Sequence, residues 1–262
     1  MRYPRLWRRL LITAIVREAE YRVSFLLAVV EGIVQVGLVA LTFELLYQFT
    51  GELAGWTRDQ VLVLVGVYRI ADGLISCQVA PNMLALPEYV RTGELDFQLL
   101  RPASSQFLVS TRRFALAEAV NVLIGLGVVA VAGARAGVAW NPLAVAAALV
   151  LLACGVVLLY ALWFAIMTLS FWFVQLDTLD SLFAGLFEAA RYPVAFFSGW
   201  ARVLFTFAFP VAFATTFPTE ALLGRGDVRP IVGRGLLLAA AGLAGSHLLW
   251  RQALRHYESA SS

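Results

Sequence analysis

Lysine is absent from the chain: all 20 basic residues among its 262 are arginine. A phosphate loop of the GxxxxGK[ST] type needs a lysine on the nucleotide phosphates, so this chain cannot hydrolyse ATP by that route itself. Charge of either sign is also scarce. It makes up 14% of the residues, against roughly 25% in an ordinary soluble domain, and too little polar surface remains to cover a globule. Only two cysteines occur, Cys77 and Cys154, each inside an apolar run. They lack the partner spacing of a metal site or disulfide framework and read as small buried apolar residues. Neither HExxH nor GxSxG is present, which empties the inventory for those hydrolytic chemistries. Asp177 and Asp180 form a close pair in a polar turn, where capping a helix is the commoner role. His247 and His256 lie near or beyond the end of the last apolar run and read as packing and tail. No metal site is expected.

What the chain does have is apolar length. Hydrophobic residues make up 61% of it, and several runs exceed the roughly 18–20 residues needed to cross a hydrocarbon core of about 30 Å. A barrel would instead show segments of about ten residues with alternating polarity. The fold class is therefore an all-α integral membrane protein, with one transmembrane domain over residues 1–262. Residues 1–22 open it as a basic amphipathic helix. Trp7, Leu10, Leu11, Ala14 and Ile15 share one face and Arg5, Arg8 and Arg9 the other, which suits the headgroup plane.

The expected spans run about Ser24–Tyr47, Gln60–Ala80, Gln106–Ala132, Leu143–Val174 and Ile231–Trp250. No residue from Leu143 to Val174 is charged, so that span is tilted or extends past the membrane. Arginine counts orient the chain. Six lie in residues 1–22, four in 81–113 and two in the tail, against Arg58, Arg135, Arg225 and Arg229 in the other loops. That asymmetry puts both termini in the cytoplasm and requires an even number of crossings. Residues 178–224 must then supply one net crossing, although Pro193, Gly199, Pro210 and Pro218 break them. A span near Leu179–Phe197 followed by a re-entrant outer hairpin, residues 198–223, satisfies this. The alternative is an interfacial helix near 178–197 with the span near 200–217. Irregular backbone at that depth requires cover by protein or water.

Several charges fall inside the expected spans. Arg69 and Asp72 stand three residues apart on one helical face, and Glu188 and Arg191 repeat the spacing. Glu31, Gln35, Glu118 and Asn121 add polar positions. A lone charge at mid-bilayer costs about 2.5–3.5 kcal/mol on insertion scales, so these groups pair with one another or face a wet cavity. Ion pairs that fix packing and the polar lining of a substrate path are both open. Gly242 and Gly245 read as small residues for close helix contact in the last span.

Between the second and third runs lies a dense polar patch within residues 81–105. Its centre is RTGELDFQLLRP, Arg91–Pro102, with four charges in twelve residues. Pro81–Thr92 reads as a helix stopped by Gly93 in a left-handed conformation. Glu94–Arg101 reads as a second short helix ended by Pro102, with Ser104 or Ser105 available to cap the third span. A plain connection needs only about 4–6 residues, so the length asks for another explanation.

RTGELDFQLLRP and the later RYPVAFFSGWARVLFTFAFPVAFATTFPTEALLG (Arg191–Gly224) resemble permeases of ABC exporters of the type-2 class, in a bacterial branch associated with multidrug or viologen-type efflux. The order of parts matches over nearly the whole chain: interfacial helix, six spans, coupling segment after the second, re-entrant segment before the sixth. The resemblance implies a permease subunit in the bacterial cytoplasmic membrane that moves an amphiphilic or drug-like substrate outward. It implies two permease chains, identical or paralogous, meeting through the first and fifth spans. They would pair with separate ABC ATPase subunits, which would hold the Mg-ATP; this chain itself would carry no cofactor, no catalysis and no nucleic acid. The coupling residues would be Glu88, Arg91, Gly93, Glu94, Asp96, Phe97 and Arg101. Glu31, Arg69, Asp72, Glu118, Glu188 and Arg191 would be substrate path or intramembrane ion pairs. The rival classes are an ion-gradient-driven transporter or channel, disfavoured by the absence of an internal repeat, and a membrane enzyme, disfavoured by the empty catalytic inventory.

Overall fold

The computed structural model describes residues 2–18, 22–173 and 177–257. The capping expected of Asp177 and Asp180 concerns side chains outside the described residues, as do the far end of the 1–22 segment and the tail beyond Tyr257. Among the described residues the structure is helical, apart from a single bridge between Leu53 and Trp56. Five helices are long and apolar enough to cross a bilayer: Phe25–Tyr47, Arg58–Thr92, Leu116–Arg135, Pro142–Phe171 and Arg229–Arg255. The chain is an all-α integral membrane protein.

The N-terminal helix, Arg2–Glu18, lies against the segment that follows the polar patch. Tyr3 meets Phe107 edge-on at 5.0 Å and Trp7 meets Phe114 at 6.1 Å. At the other terminus, Trp250 Nε1 donates to Ser105 Oγ at 3.0 Å. The N-terminal helix and the end of the last span therefore lie at one end of the bundle, beside the patch.

The third span departs from expectation. In place of one helix over Gln106–Ala132, a short helix Ser105–Thr111 ends at Arg112, and the chain re-enters through a 3-10 turn Leu116–Ala119 into the helix Val120–Arg135. The break is held by partners that hydropathy does not report. Asn82 bonds both backbone groups of Arg113, and Ala115 N donates to Cys77 O at 2.9 Å. The accepting Cys77 carbonyl lies within a π turn of the second span, Ile75–Val79, where the helical ladder is locally irregular. Ser104 stands at the helix start without a side-chain capping bond, and Ser105 serves Trp250 instead.

The region before the last span also differs in detail. The helix runs Asp177–Glu188, 12 residues, or about 18 Å. A 3-10 turn to Arg191 and an irregular stretch past Pro193 follow. Its contacts climb the bundle: Phe183 stacks on Trp163 at 4.2 Å, Phe187 meets Tyr68 at 5.5 Å, and Tyr192 meets Phe43 at 5.8 Å. The next two arms, Gly199–Ala208 and Val211–Leu222, are bent 64° from each other. Phe209 at the bend reaches back to Phe183 at 4.9 Å, while Arg225 beyond the second arm donates to the Gly55 carbonyl in the loop after the first span.

Glycines set the closest approaches. A Cβ on Gly66 would lie 2.8 Å from Val129 N, one on Gly73 2.8 Å from Val122 N, and one on Gly125 2.6 Å from Gly66 O. The second and third spans therefore touch backbone to backbone. The hairpin arm presses on the fourth span as well, where a Cβ on Gly155 would run into the backbone of Ala214. The contact expected at Gly242 and Gly245 is looser: Gly242 makes ordinary contact with Ala161, and Gly245 has nothing within 4 Å.

Candidate functional site

A cavity of about 380 Å³ opens between the first span, the second and third spans and the 177–191 segment. It gathers Glu31, Arg69, Asp72, Glu118, Glu188 and Arg191, the six charges singled out within the apolar runs. Tyr68, Trp163, Phe183 and Phe187 supply its aromatic wall.

Arg69 is the hub, only 5% exposed. Its Nη1 donates to Gln35 Oε1 at 2.9 Å and to Asp72 Oδ2 at 3.2 Å, and its Nη2 donates to Asn121 Oδ1 at 2.7 Å. Each amide passes the bond on. Gln35 Nε2 donates to Glu31 at 3.0 Å, and Asn121 Nδ2 donates to Glu118 at 3.0 Å. One guanidinium thus ties three spans and stands near three carboxylates. Desolvating a charge costs several kcal/mol unless hydrogen bonds replace the lost water, which is why so many acceptors converge. Gly32 makes the approach possible, since a Cβ there would lie 2.8 Å from Asn121 Oδ1 and 3.2 Å from Arg69 Nη2.

Across the cavity, Arg191 pairs with Glu188 at 2.9 Å and lies 5.9 Å from the Tyr68 ring. Glu188 is 67% exposed, and Glu31 and Gln35 are exposed too. The cavity therefore opens sideways, between the first span and the 177–188 helix. Four carboxylates against two guanidiniums leave it net negative when all are ionised, beside aromatic faces that attract cations. An amphiphilic cation matches that lining.

The polar patch folds as two short helices, Leu86–Thr92 and Glu94–Leu99, joined at Gly93 with φ +76°. Glycine adopts that left-handed geometry without the Cβ penalty of other residues. Leu86, Tyr89 and Leu95 are buried beneath, while Phe97 at 68% and Leu100 at 83% are exposed. Arg91 pairs with Glu88 at 2.7 Å on the outer surface. The Tyr89 ring lies under Arg112 at 5.6 Å and Arg113 at 5.1 Å, so the patch rests directly on the break in the third span. Asp96 faces Tyr257, just past the last span. Burial, then the Asp96 carboxylate beside it, pushes the Tyr257 phenol above its ordinary value of 10.0.

Arg101 turns away from Arg91 and toward the N-terminal helix, where it lines a separate cleft. His247 Nδ1 pairs with Gln106 Oε1 at 2.8 Å, a packing role. Among the described residues, no group of three or more His, Cys, Asp or Glu is placed to hold a metal ion. Asn82 and the π turn escaped notice in the sequence, because their partners Arg113 and Ala115 lie some thirty residues further along the chain.

No curated protein and no solved structure matches the chain. One family model does, described as "ABC-2 family transporter protein", over residues 33–261. That stretch holds the Arg69 hub, the Gly93 joint and the bent arms before the last span. The chain belongs to the ABC-2 transporter family, as a membrane permease component of an ABC transporter.

Proposed function

We propose that the chain is the permease subunit of an ATP-driven exporter in the bacterial cytoplasmic membrane, worked by separate ATPase subunits that hold the Mg-ATP. The observation that carries this is the Leu86–Leu99 patch. It is two short helices locked by Gly93, seated on the third-span break and offering Phe97 and Leu100 outward with Glu88, Arg91 and Glu94 around them. An exposed apolar knob rimmed by charge is suited to a protein groove. The arginine asymmetry supports a cytoplasmic position for it, and the missing lysine agrees with a motor on another polypeptide.

The substrate is an amphiphile, drug-like and cationic, taken up in the Arg69 cavity. Two permease chains, identical or paralogous, face each other across the first and fifth crossings. Glu31 and Glu188 support this pairing, because exposed carboxylates at that depth are costly against lipid and a second chain enclosing a wet path removes the cost.

The test is reconstitution with the ATPase expressed alongside the chain. A hydrophobic cation should stimulate ATP hydrolysis and be moved in the same vesicles. Transport that persists on an ion gradient with the ATPase omitted would assign the chain to the gradient-driven class instead.

A further inference from the structure

We infer that the cleft between the N-terminal helix and the turn after Leu99 is a binding site for the phosphate headgroup of an anionic phospholipid. The cleft measures about 620 Å³. Arg5, Arg9 and Arg101 point into it, no carboxylate lines it, and Leu6, Pro102 and Leu108 supply apolar wall. Among the described residues none of the three arginines makes an ion pair; the ion pairs present use Arg58, Arg69, Arg91 and Arg191. Arg5 and Arg9 are four residues apart, hence neighbours on one helix face, and like charges at that spacing repel. An anion between them and Arg101 reverses the sign of that interaction.

The cleft is built, not incidental. Ser104 N donates to the Tyr3 hydroxyl at 3.3 Å, and Tyr3 packs on Phe107 at 5.0 Å. The two walls come from chain positions about a hundred residues apart and are pinned together at one end. Height in the bilayer selects the occupant. Ile12 and Ile15 are exposed along the same helix, which sets an amphipathic helix at the boundary between headgroups and acyl chains. Basic pockets at that level take anionic headgroups, and the apolar wall suits the acyl chains beneath. The inference requires only that the chain sits in a bilayer. It stands whether or not the exporter reading does.

Native mass spectrometry of the purified full-length chain tests it, using phosphatidylglycerol and phosphatidylcholine with identical acyl chains. The chain should retain phosphatidylglycerol preferentially. Arg5→Gln, Arg9→Gln and Arg101→Gln should each lower that retention about fivefold. Arg8→Gln, exposed on the same helix but outside the cleft, should leave it unchanged. A headgroup-photoreactive phosphatidylglycerol should label the unaltered chain within residues 3–9 and 101–108, which covers the case of a variant that does not fold. Equal retention of the two lipids, an equal loss in Arg8→Gln, or displacement of the lipid by millimolar inorganic phosphate would each overturn it.

Discussion

Asn82 holds Arg113 by both of its backbone groups. Its Nδ2 donates to the Arg113 carbonyl at 2.7 Å and its Oδ1 accepts the Arg113 N–H at 2.8 Å. A side chain thus completes what a β-ladder partner would have supplied, at the point where the third span breaks. Asn82 is fully buried, while Arg113 is exposed. Asn82→Ala should cost about 1 kcal/mol for each of the two hydrogen bonds lost. Hydrogen exchange at the Arg113 and Ala115 amides should accelerate at least tenfold, as about 1.4 kcal/mol requires. Unchanged protection at both amides would remove Asn82 as the brace.

Arg69 and Asp72 make a buried pair whose members depend on each other. Arg69→Met alone strands Asp72 and removes the donor to the Asn121 and Gln35 side-chain oxygens, a loss of about 3–5 kcal/mol for breaking such a pair from one side. Arg69→Met combined with Asp72→Leu should recover much of it. Thermal unfolding in detergent reads the cycle; a double variant no more stable than the single one would mean that the pair does not act as a unit.

For the patch, Gly93→Val forces a β-branched residue into φ +76°, at about 1–2 kcal/mol. Asp96→Arg places a new cation in the surface proposed to meet the ATPase. Both variants should insert normally and lose substrate-stimulated ATP hydrolysis. Full stimulation in both would place the coupling element elsewhere.

Sidedness is checked by labelling. With cysteine placed at each position, Arg225 and Arg229 should react only from outside, Arg91 and Arg255 only from the cytoplasm. A reagent that reaches all four from one face would discard the orientation drawn from arginine counts.

The Tyr257 phenol should titrate above pH 10. Burial and the Asp96 carboxylate both favour its neutral form. The folded chain holds this proton more tightly than the unfolded one, so the contact contributes fully below pH 10 and is lost as the pH rises through the raised value. Ultraviolet difference titration against Tyr257→Phe isolates the group. Asp96→Asn should bring its midpoint down, and an unmoved midpoint would separate the two residues.

Features that live within one stretch of chain were legible in the sequence. Gly93 could be read because a glycine between two polar helical runs has a local reason to turn left-handed. The charges now found around Arg69 could be read because their cost in an apolar run depends only on that run. The break at Arg112–Ala115 could not. Arg112 and Arg113 interrupt the apolar run there, but the bonds that hold the break come from Asn82 and Cys77, some thirty residues earlier. Glycine contacts failed for the same reason: nothing around Gly242 or Gly66 tells which one faces another backbone. The segment after Asp177 lay between these cases. Its prolines announced interruptions, while its path had to wait for partners such as Trp163 and Phe43.

The backbone contacts at Gly66, Gly73 and Gly125 carry a mechanical consequence. Two rods seated against each other at points about 10 Å apart along their length resist both sliding and splaying. Between Gly66 and Gly73 the second and third spans therefore move as one body, and the π turn over Ile75–Val79 lies between that body and the Tyr89 patch. A tilt of the pair would carry the loops around Trp56 and Trp140 with it.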